Sequence, residues 1–318
     1  LQMKTETFFG CPVHSEESER TEYLPQRNLR WKVWDNEDSV WAERVVNHYN
    51  CYNQNGCVAN KLTNTPSRRP IPRIIHFVWL GPSPIPNIRH TNITAIESFR
   101  ALHPDWDIQI WRDEDIVALP LQNKSAFHAA AGNYGRQSDI ARYEILNQFG
   151  GVYIDVDYKC IGKLDDLHSR CEFYCGASNA GTVELNNGLI GCAKGHWIMS
   201  RLIERIKDWH NRKLDTNNAK RVFKGYLDAS SNDMVETMSS ARVVMETIEF
   251  TGPGLFTRVV CDAISTRDDI DSMLVLPAAV FHPFPNHLRH FVDNDDIIEK
   301  FVDPEKTITV HMWECSWH

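Results

Sequence analysis

The pattern of apolar and polar positions divides the chain near residue 70. Residues 1 to about 70 are polar and punctuated by Trp31, Trp34 and Trp41. One helix is predicted there, near 36–50, before a turn-rich close at Thr63-Asn-Thr-Pro-Ser-Arg-Arg-Pro. Beyond it, Ile74-Ile-His-Phe-Val-Trp-Leu80 is a continuous apolar run stopped by Gly81-Pro82, the pattern of a buried strand. A helix at about 90–102, a strand over Trp106–Trp111 and a short helix after Arg112 follow. Residues 124–149 read as one helix, with Ile140, Tyr143, Leu146 and Phe149 spaced by three along one face, and Gly150-Gly151 ends it. Val152-Tyr-Ile-Asp-Val-Asp157 then reads as a strand carrying two aspartates at its carboxyl end. Further strands are predicted at 172–177, 183–190, 274–276 and 307–312, and helices at about 196–210, 234–247 and 253–265. Strands alternating with helices predict an α/β sheet with crossover connections. Residues 1–70 are expected to be an extension packed on one body, 71–318, and not a second domain.

Composition narrows the function. The chain has 318 residues and is 42% hydrophobic, which excludes disorder, collagen and coiled coil. Its 34 basic against 42 acidic side chains give a net charge of −8. With no Lys/Arg run, that balance argues against a nucleic-acid partner. A phosphate-bearing ligand would need its charge neutralised by something other than surplus basic residues. No stretch approaches the roughly 18 apolar residues of a membrane span, and the first residues are no signal peptide. Because the chain opens on Leu1, a membrane association is expected only through an N-terminal anchor that precedes it. Nine cysteines and the sequons Asn92-Ile-Thr and Asn123-Lys-Ser fit a secretory-pathway protein with disulfides. Cys51–Cys57 and Cys171–Cys175 are the local pairs expected. No C-x-x-C spacing supports a zinc site.

The sharpest chemical feature is Asp155-Val156-Asp157. Alternation along a strand puts both carboxylates on one face, at the carboxyl end where open α/β sheets bind ligands. Carboxylate oxygens suit Mg²⁺ or Mn²⁺, which commonly take one or two protein carboxylates together with substrate phosphates. The cation would then supply the missing positive charge. Just upstream, Arg136, Asp139 and Arg142 recur at i, i+3, i+6 along one side of the helix, either as a salt-bridged surface stripe or as part of the same site.

The block Ser138-Asp-Ile-Ala-Arg-Tyr-Glu-Ile-Leu-Asn-Gln-Phe-Gly-Gly-Val-Tyr-Ile-Asp-Val-Asp157 resembles the D-x-D sugar-binding region of glycosyltransferase family 32. That group includes fungal α-1,6-mannosyltransferases, sphingolipid mannosyltransferases and α-1,4-glycosyltransferases, with the clostridial glucosylating toxins as relatives. Pro72-Arg-Ile-Ile-His-Phe-Val-Trp-Leu-Gly81, Asn186-Asn-Gly-Leu-Ile-Gly and His311-Met-Trp-Glu-Cys-Ser-Trp317 resemble further segments in the family's order.

The resemblance implies a GT-A type fold, a Rossmann-like nucleotide-sugar-binding mixed sheet flanked by helices, over about 72–317. It also implies a retaining, metal-dependent hexosyltransferase. Its donor would be a nucleotide sugar, GDP-mannose or a UDP-hexose, and its acceptor a glycan or glycolipid in the secretory pathway, with the Golgi lumen as compartment. A toxin-like enzyme glycosylating a protein and an inactive nucleotide- or glycan-binding domain are the alternatives. By the resemblance, Asp157 is the direct ligand of Mn²⁺ (or Mg²⁺), Asp155 contacts the ribose and the metal, and Asp139 and Arg142 hold the donor sugar. His311 ligates the metal or the diphosphate, unless it is a buried structural histidine. Ser316 and Trp317 donate to the β-phosphate. Trp79 either stacks on the nucleotide base or is a core tryptophan. Asn187 faces the donor sugar or the acceptor, or makes a tight turn. The glycines of Thr251-Gly-Pro-Gly254 let the backbone approach a ligand or cap the helix that follows.

Overall fold

The computed structural model describes residues 3–10, 37–54, 69–88, 93–180, 183–211, 243–244, 246–266 and 272–314. In chain order the elements that build the body are α1 (Thr5–Phe8), α2 (Glu37–Gln54), β1 (Ile74–Val78), α3 (Ala95–Leu102), β2 (Asp107–Trp111), α4 (Asp113–Ala118), α5 (Lys124–Ala129), α6 (Tyr134–Phe149), β3 (Gly151–Ile154), β4 (Tyr158–Cys160), α7 (Asp165–Arg170), β5 (Phe173–Ala177), β6 (Leu185–Cys192), α8 (Trp197–Asn211), α9 (Pro253–Thr266), β7 (Met273–Leu276), α10 (Ala278–Phe281) and β8 (Thr309–His311).

The sheet order is β2-β1-β3-β6-β5-β7, and β4 pairs with β8 in a separate two-stranded ladder. Strands β1, β2 and β3 are mutually parallel, β6 runs against β3 and β5, and β7 is parallel to β5. Five strands therefore end at one edge, where β6 begins. This is the expected mixed α/β sheet. One face packs on α2, α6, α8 and α9 through Tyr153, Cys175 and Ile190. The other packs on α3 and α7 through Val152, Ile154, Tyr174 and Leu189. Phe8, Phe9, Ala42, Val45 and Val46, from α1 and α2, are buried in the first of these cores. His48 Nε2 bonds the Met273 carbonyl at 2.9 Å, so this N-terminal helix is tied directly to β7.

Several boundaries differ from the sequence expectation for local reasons. The helix predicted from about 90 starts at Ala95, because Thr94 and Glu97 form a reciprocal capping box. The single helix expected over 124–149 is two. Gly132 takes φ +87° between them, and the Asn133 side chain caps α6 by accepting from Arg136 N at 2.9 Å. On α6, Ile140, Tyr143 and Leu146 are fully buried, each contributing about 1.5–3 kcal/mol of apolar burial. Phe149 stays partly exposed at the rim.

Gly150 and Gly151 have φ of +69° and +99°, and a Cβ on Gly151 would lie 2.5 Å from the Ile74 carbonyl oxygen. Only glycine lets α6 reverse into β3 that close to β1. The strand expected over 152–157 spans Gly151–Ile154, so both aspartates lie in the turn that follows it. The strand expected at 183–190 is Leu185–Cys192. Of the helix predicted at 234–247, residues up to 242 lie outside the described residues.

The disulfide expectations fail. Cys175 is a buried free thiol, and Cys171 Sγ donates to the Leu167 carbonyl at 3.2 Å. Cys51 also carries a free thiol, while Cys57 lies outside the described residues. The Asn123 sequon is closed as well. Asn123 is 3% exposed, and its Nδ2 donates to the Ile203 carbonyl at 2.8 Å, so the folded protein offers no acceptor amide there. Asn92 lies outside the described residues.

Candidate active site

The polar residues at the carboxyl edge of the sheet form two linked sets, one on each face. Helix α6 places Asp139, Arg142 and Tyr143 over the first face. Arg142 is 4% exposed. Its Nη1 donates to the Asn187 carbonyl at 2.7 Å, and Nη2 is 3.2 Å from Asp139 Oδ1 and 3.3 Å from Asp155 Oδ1. Its guanidinium lies 4.4 Å above the centroid of the Tyr153 ring, a cation–π contact that supports its plane. Tyr153 Oη donates to Asp155 Oδ1 at 2.5 Å. Asp139, 5% exposed, accepts from Asn187 Nδ2 at 2.8 Å and from Thr251 Oγ1 at 3.0 Å. Asn187 Nδ2 also reaches Tyr143 Oη at 3.0 Å, and that hydroxyl donates to the Thr251 carbonyl.

Burial raises the Asp139 carboxyl to about 6 against the opposing pull of Arg142. Burial works against the charge of Arg142, but Asp155, Tyr153 and Asp139 hold its pKa above the ordinary value. The set is thus one buried cation clamped between two carboxylates.

On the second face, Asp157 Oδ2 accepts from Glu314 N at 3.0 Å and lies 3.0 Å from His311 Nε2. The β4–β8 ladder sets this up by pairing Tyr158 with His311. The two rings stack at 4.4 Å with 8° between planes, and Trp313 closes the other side of the imidazole at 4.1 Å. Trp313 takes φ +55°, an uncommon conformation for a bulky residue. It leads straight into Glu314, whose N–H reaches Asp157.

Tyr158 Oη bonds His282 Nε2 at 2.8 Å, and His282 Nδ1 bonds the Ala177 carbonyl at 2.8 Å. The proton therefore sits on Nδ1, and Tyr158 donates. Burial lowers the His282 pKa to about 3, which keeps it neutral. Burial also pushes the Asp157 carboxyl up, but His311 and the Glu314 N–H outweigh it and hold the carboxyl below its usual range. Asp155 is raised, by burial and by the charge of Asp157, with Arg142 opposing.

The D-x-D turn therefore straddles the sheet edge, with Asp155 turned to Arg142 and Asp157 to His311. Val156 between them is buried in the second core. Strand alternation is not what unites the carboxylates. The chain leaves β3 at Ile154, and a backbone bond from Asp155 N to the Gly188 carbonyl (2.8 Å) anchors the turn. A Cβ on Gly188 would come within 2.6 Å of Asp155 Oδ2 and 2.9 Å of Tyr158 Oη, so any side chain here would push Asp155 from its place.

The structure joins Asp139, Arg142, Asp155 and Asn187 in one network and Asp157 with His311 in a second, at the same sheet edge. Asn187 lies within β6, which excludes the tight-turn reading. Thr251 lies in the Asp139 network, where its hydroxyl fixes that carboxylate. Trp79 follows β1 on the same edge but stands apart from the network. It is half-buried, and its Nε1 donates to the Ser83 carbonyl at 2.7 Å. Ser316 and Trp317 lie outside the described residues. Arg136 leaves the stripe to pair with Glu246 at 3.6 Å.

Sequence reasoning missed Tyr153, Tyr158, Tyr143 and His282 as parts of the site. The two tyrosines flanking the D-x-D triplet were the available signal. His282, more than 120 residues away, had none.

A metal finds an incomplete donor set here. Among the described residues no group of three or more His, Cys, Asp or Glu could hold an ion alone. Asp157 and His311 nevertheless suit a hard divalent ion that keeps water and phosphate ligands, with Asp155 in the same turn but held by Arg142. Among the described residues His311 Nδ1 is buried without a hydrogen-bond partner, while it is Nε2 that faces Asp157.

Residues 90–174 match the family described as glycosyltransferase sugar-binding region containing DXD motif. The match includes Asp139, Arg142, Asp155 and Asp157. The chain is 29% identical over 148 residues to inositol phosphoceramide mannosyltransferase 1 of Schizosaccharomyces pombe, covering 45% of this chain and 44% of that protein. It is 31% identical over 111 residues to a mannosyl phosphorylinositol ceramide synthase of Saccharomyces cerevisiae, covering 34% and 28%. The chain thus spans less than half the length of these relatives. Among solved structures, the catalytic domain of alpha-toxin from Clostridium novyi aligns with a TM-score of 0.46 at 11% identity, over 98% of this chain and 95% of that one. The PaToxG glycosyltransferase aligns with a TM-score of 0.43 at 16% identity, over 74% and 83%.

Proposed function

We propose that this chain is the catalytic domain of a retaining glycosyltransferase. It would move a hexose from a nucleotide sugar, GDP-mannose or a UDP-hexose, to a hydroxyl of a glycan or glycolipid. The observation that carries the reading is the meeting of Asp139-Arg142-Asp155 and Asp157-His311 at the carboxyl edge of the sheet, within and beside the region that matches the DXD family. The mannosyltransferase names of the fungal relatives favour GDP-mannose as donor and an inositol-phosphate lipid as acceptor. A secretory-pathway location, with the Golgi lumen as compartment, belongs to this proposal. The free thiols and the closed Asn123 sequon no longer support it.

Transfer breaks the anomeric C–O bond through an oxocarbenium-like state while the diphosphate departs with growing negative charge. Groups fixed where that charge develops act on the transition state more than on the substrate. Asp157, His311 and Asp155 would hold Mn²⁺ or Mg²⁺, which when bound supplies positive charge to the departing diphosphate. Asp139, Arg142 and Asn187 would bind and orient the sugar hydroxyls. Their buried network keeps them from reorganising as the bond breaks. Trp79, on the same edge, would stack on the base, and Ser316 and Trp317 would donate to the β-phosphate. The acceptor hydroxyl attacks from the face the diphosphate leaves, and its proton passes to the departing phosphate oxygen, which gives retention without a covalent intermediate.

The test pairs wild type with Asp157→Ala and Trp79→Ala, using GDP-mannose and UDP-glucose with Mn²⁺ and following transfer and donor binding. Asp157→Ala should abolish turnover while leaving the melting transition in place. Trp79→Ala should weaken nucleotide binding more than it slows turnover. Wild-type turnover that persists in excess chelator would refute the metal assignment. A covalent glycosyl adduct trapped on Asp139 would refute the front-face mechanism.

A further inference from the structure

The hairpin joining β5 to β6 carries polar atoms that the proposed reaction does not yet use. Its ladder continues one pair beyond the strands. Ala177 pairs with Leu185 and Gly176 with Asn186, and Ser178 N then donates to the Glu184 carbonyl at 2.8 Å. Cross-strand neighbours share a face and alternate residues return to it. Ser178 and Glu184 therefore stand on the face of Gly176 and Asn186. That face is the Asp157–His311 side. A Cβ on Gly176 would lie 3.2 Å from His282 Nδ1, and Asn186 Oδ1 is 3.3 Å from Tyr158 Oη, the ring stacked on His311. Asn187, one residue on, turns to the opposite face and Asp139.

The hairpin residues are held but not satisfied. Ser178 is 0% exposed, and among the described residues its Oγ makes no well-formed hydrogen bond, the Glu184 carboxyl being the group it lies beside. Asn179 is 1% exposed; its Nδ2 donates to the Pro283 carbonyl at 2.8 Å, and its own carbonyl accepts from Asn286 N at 2.9 Å. Among the described residues its Oδ1 has no hydrogen-bond partner. A buried polar atom left unpaired in an otherwise anchored side chain is costly, which points to a ligand that completes it. Glu184 is half-buried. Burial raises its carboxyl, with the nearby Ser178 hydroxyl and His311 pulling the other way.

We propose that Ser178, Asn179 and Glu184 form a subsite for the acceptor, which binds hydroxyl groups of a neutral polyol ring. The inference rests on the glycosyl-transfer reading above. The chemistry selects the ligand class. An amide oxygen and a carboxylate accept hydrogen bonds, and a serine hydroxyl either donates or accepts. Together they match O–H donors, and the Glu184 charge disfavours a phosphate or carboxylate in contact. The placement selects acceptor over donor. Attack on the face the diphosphate leaves brings the acceptor to the Asp157–His311 side, whereas Asp139, Arg142 and Asn187 face the donor sugar from the other side. Glu184 would thus be a specificity-determining residue for the acceptor ring.

Two measurements test this, with Glu184→Gln and Ser178→Ala checked for unchanged melting. The first needs no turnover. Saturation-transfer NMR with myo-inositol and with methyl α-mannoside, in the presence of GDP and Mn²⁺, should give ring-proton signals with wild type that fall severalfold in both variants. The second is steady-state transfer from GDP-mannose to the same probes. Acceptor KM should rise about tenfold in Glu184→Gln, as expected for one charge-assisted hydrogen bond lost. Donor KM and GDP affinity should be unchanged. No saturation transfer from either probe to wild type, or signals unaltered in Glu184→Gln, overturns the subsite. A rise in donor KM with acceptor KM unchanged overturns its assignment to the acceptor. Absence of transfer with every nucleotide sugar, alongside polyol binding lost in the variants, sinks the glycosyltransferase reading and leaves the subsite standing.

Discussion

Replacing Arg142 by Ala removes the single cation between Asp139 and Asp155. Both of its ion pairs, at 3.2 and 3.3 Å, lie on a side chain that is only 5% exposed. The change strands the buried Asp139 carboxylate and leaves the Asn187 carbonyl without its 2.7 Å donor. Breaking one partner of a buried ion pair costs about 3–5 kcal/mol, because the remaining charge is left uncompensated. At ~2 °C per kcal/mol for a chain of this size, Tm should fall by on the order of 6–10 °C. The diagnostic is the double variant. Asp139→Asn keeps an acceptor for Asn187 and Thr251 but carries no charge, so Arg142→Ala/Asp139→Asn should recover about 1–3 kcal/mol relative to the sum of the single changes. Urea unfolding of the four proteins at pH 7.5 measures the cycle. An Arg142→Ala protein within 1 kcal/mol of wild type, or additive single effects, would show that the carboxylates are not charge-coupled through Arg142.

Three further predictions follow from the same geometry. Acidification should destabilise the fold. His76 and His168 are pushed down to about 4, mainly by burial, below the 6.5 of an unfolded histidine, so the unfolded chain takes up protons first as pH falls through 6.5. At pH 5 this costs about 2 kcal/mol per ring, opposed by one to two from Asp139, whose raised pKa favours protonation in the folded state. Beside His168, Asp165 raises this pKa while Arg73 and His103 lower it, all less than burial does. Urea midpoints that stay flat between pH 7.5 and 5 would contradict this. Gly188→Ala should cut turnover by about tenfold or more with a modest stability loss, because its Cβ displaces Asp155; near-wild-type kcat would show that the Asp155 position is tolerant. Asn123→Ala should cost about 1–3 kcal/mol by orphaning the Ile203 carbonyl. When the protein is expressed through a secretory pathway, the change should not alter gel mobility, whereas a mobility shift would mean the sequon is used before folding closes it.

The alternation of strands and helices, the Gly-Gly break before β3 and the closeness along the chain of Asp139, Arg142, Asp155 and Asp157 are legible in the sequence. These are local properties: hydrophobic period, turn chemistry and spacing along one helix and one short strand. The same reasoning overran β3 by three residues, because an apolar-acidic alternation does not reveal where pairing with β6 stops. It also read Cys171–Cys175 as a bridge and Asn123 as an acceptor, since spacing carries no information about burial. Tertiary packing, which no local pattern reveals, sends the two aspartates apart, one to Arg142 and one to His311. That choice depends on β4 pairing with β8, some 150 residues later, and on β6 lying beside β3, where successive residues Asn186 and Asn187 face opposite sides. It likewise decided that Tyr158, His282, Ser178 and Glu184 meet at the sheet edge. Contacts between residues so far apart in the chain follow from which strands pair and in what register. A period-2 or period-3.6 pattern says which side of an element is buried, but not what it is buried against.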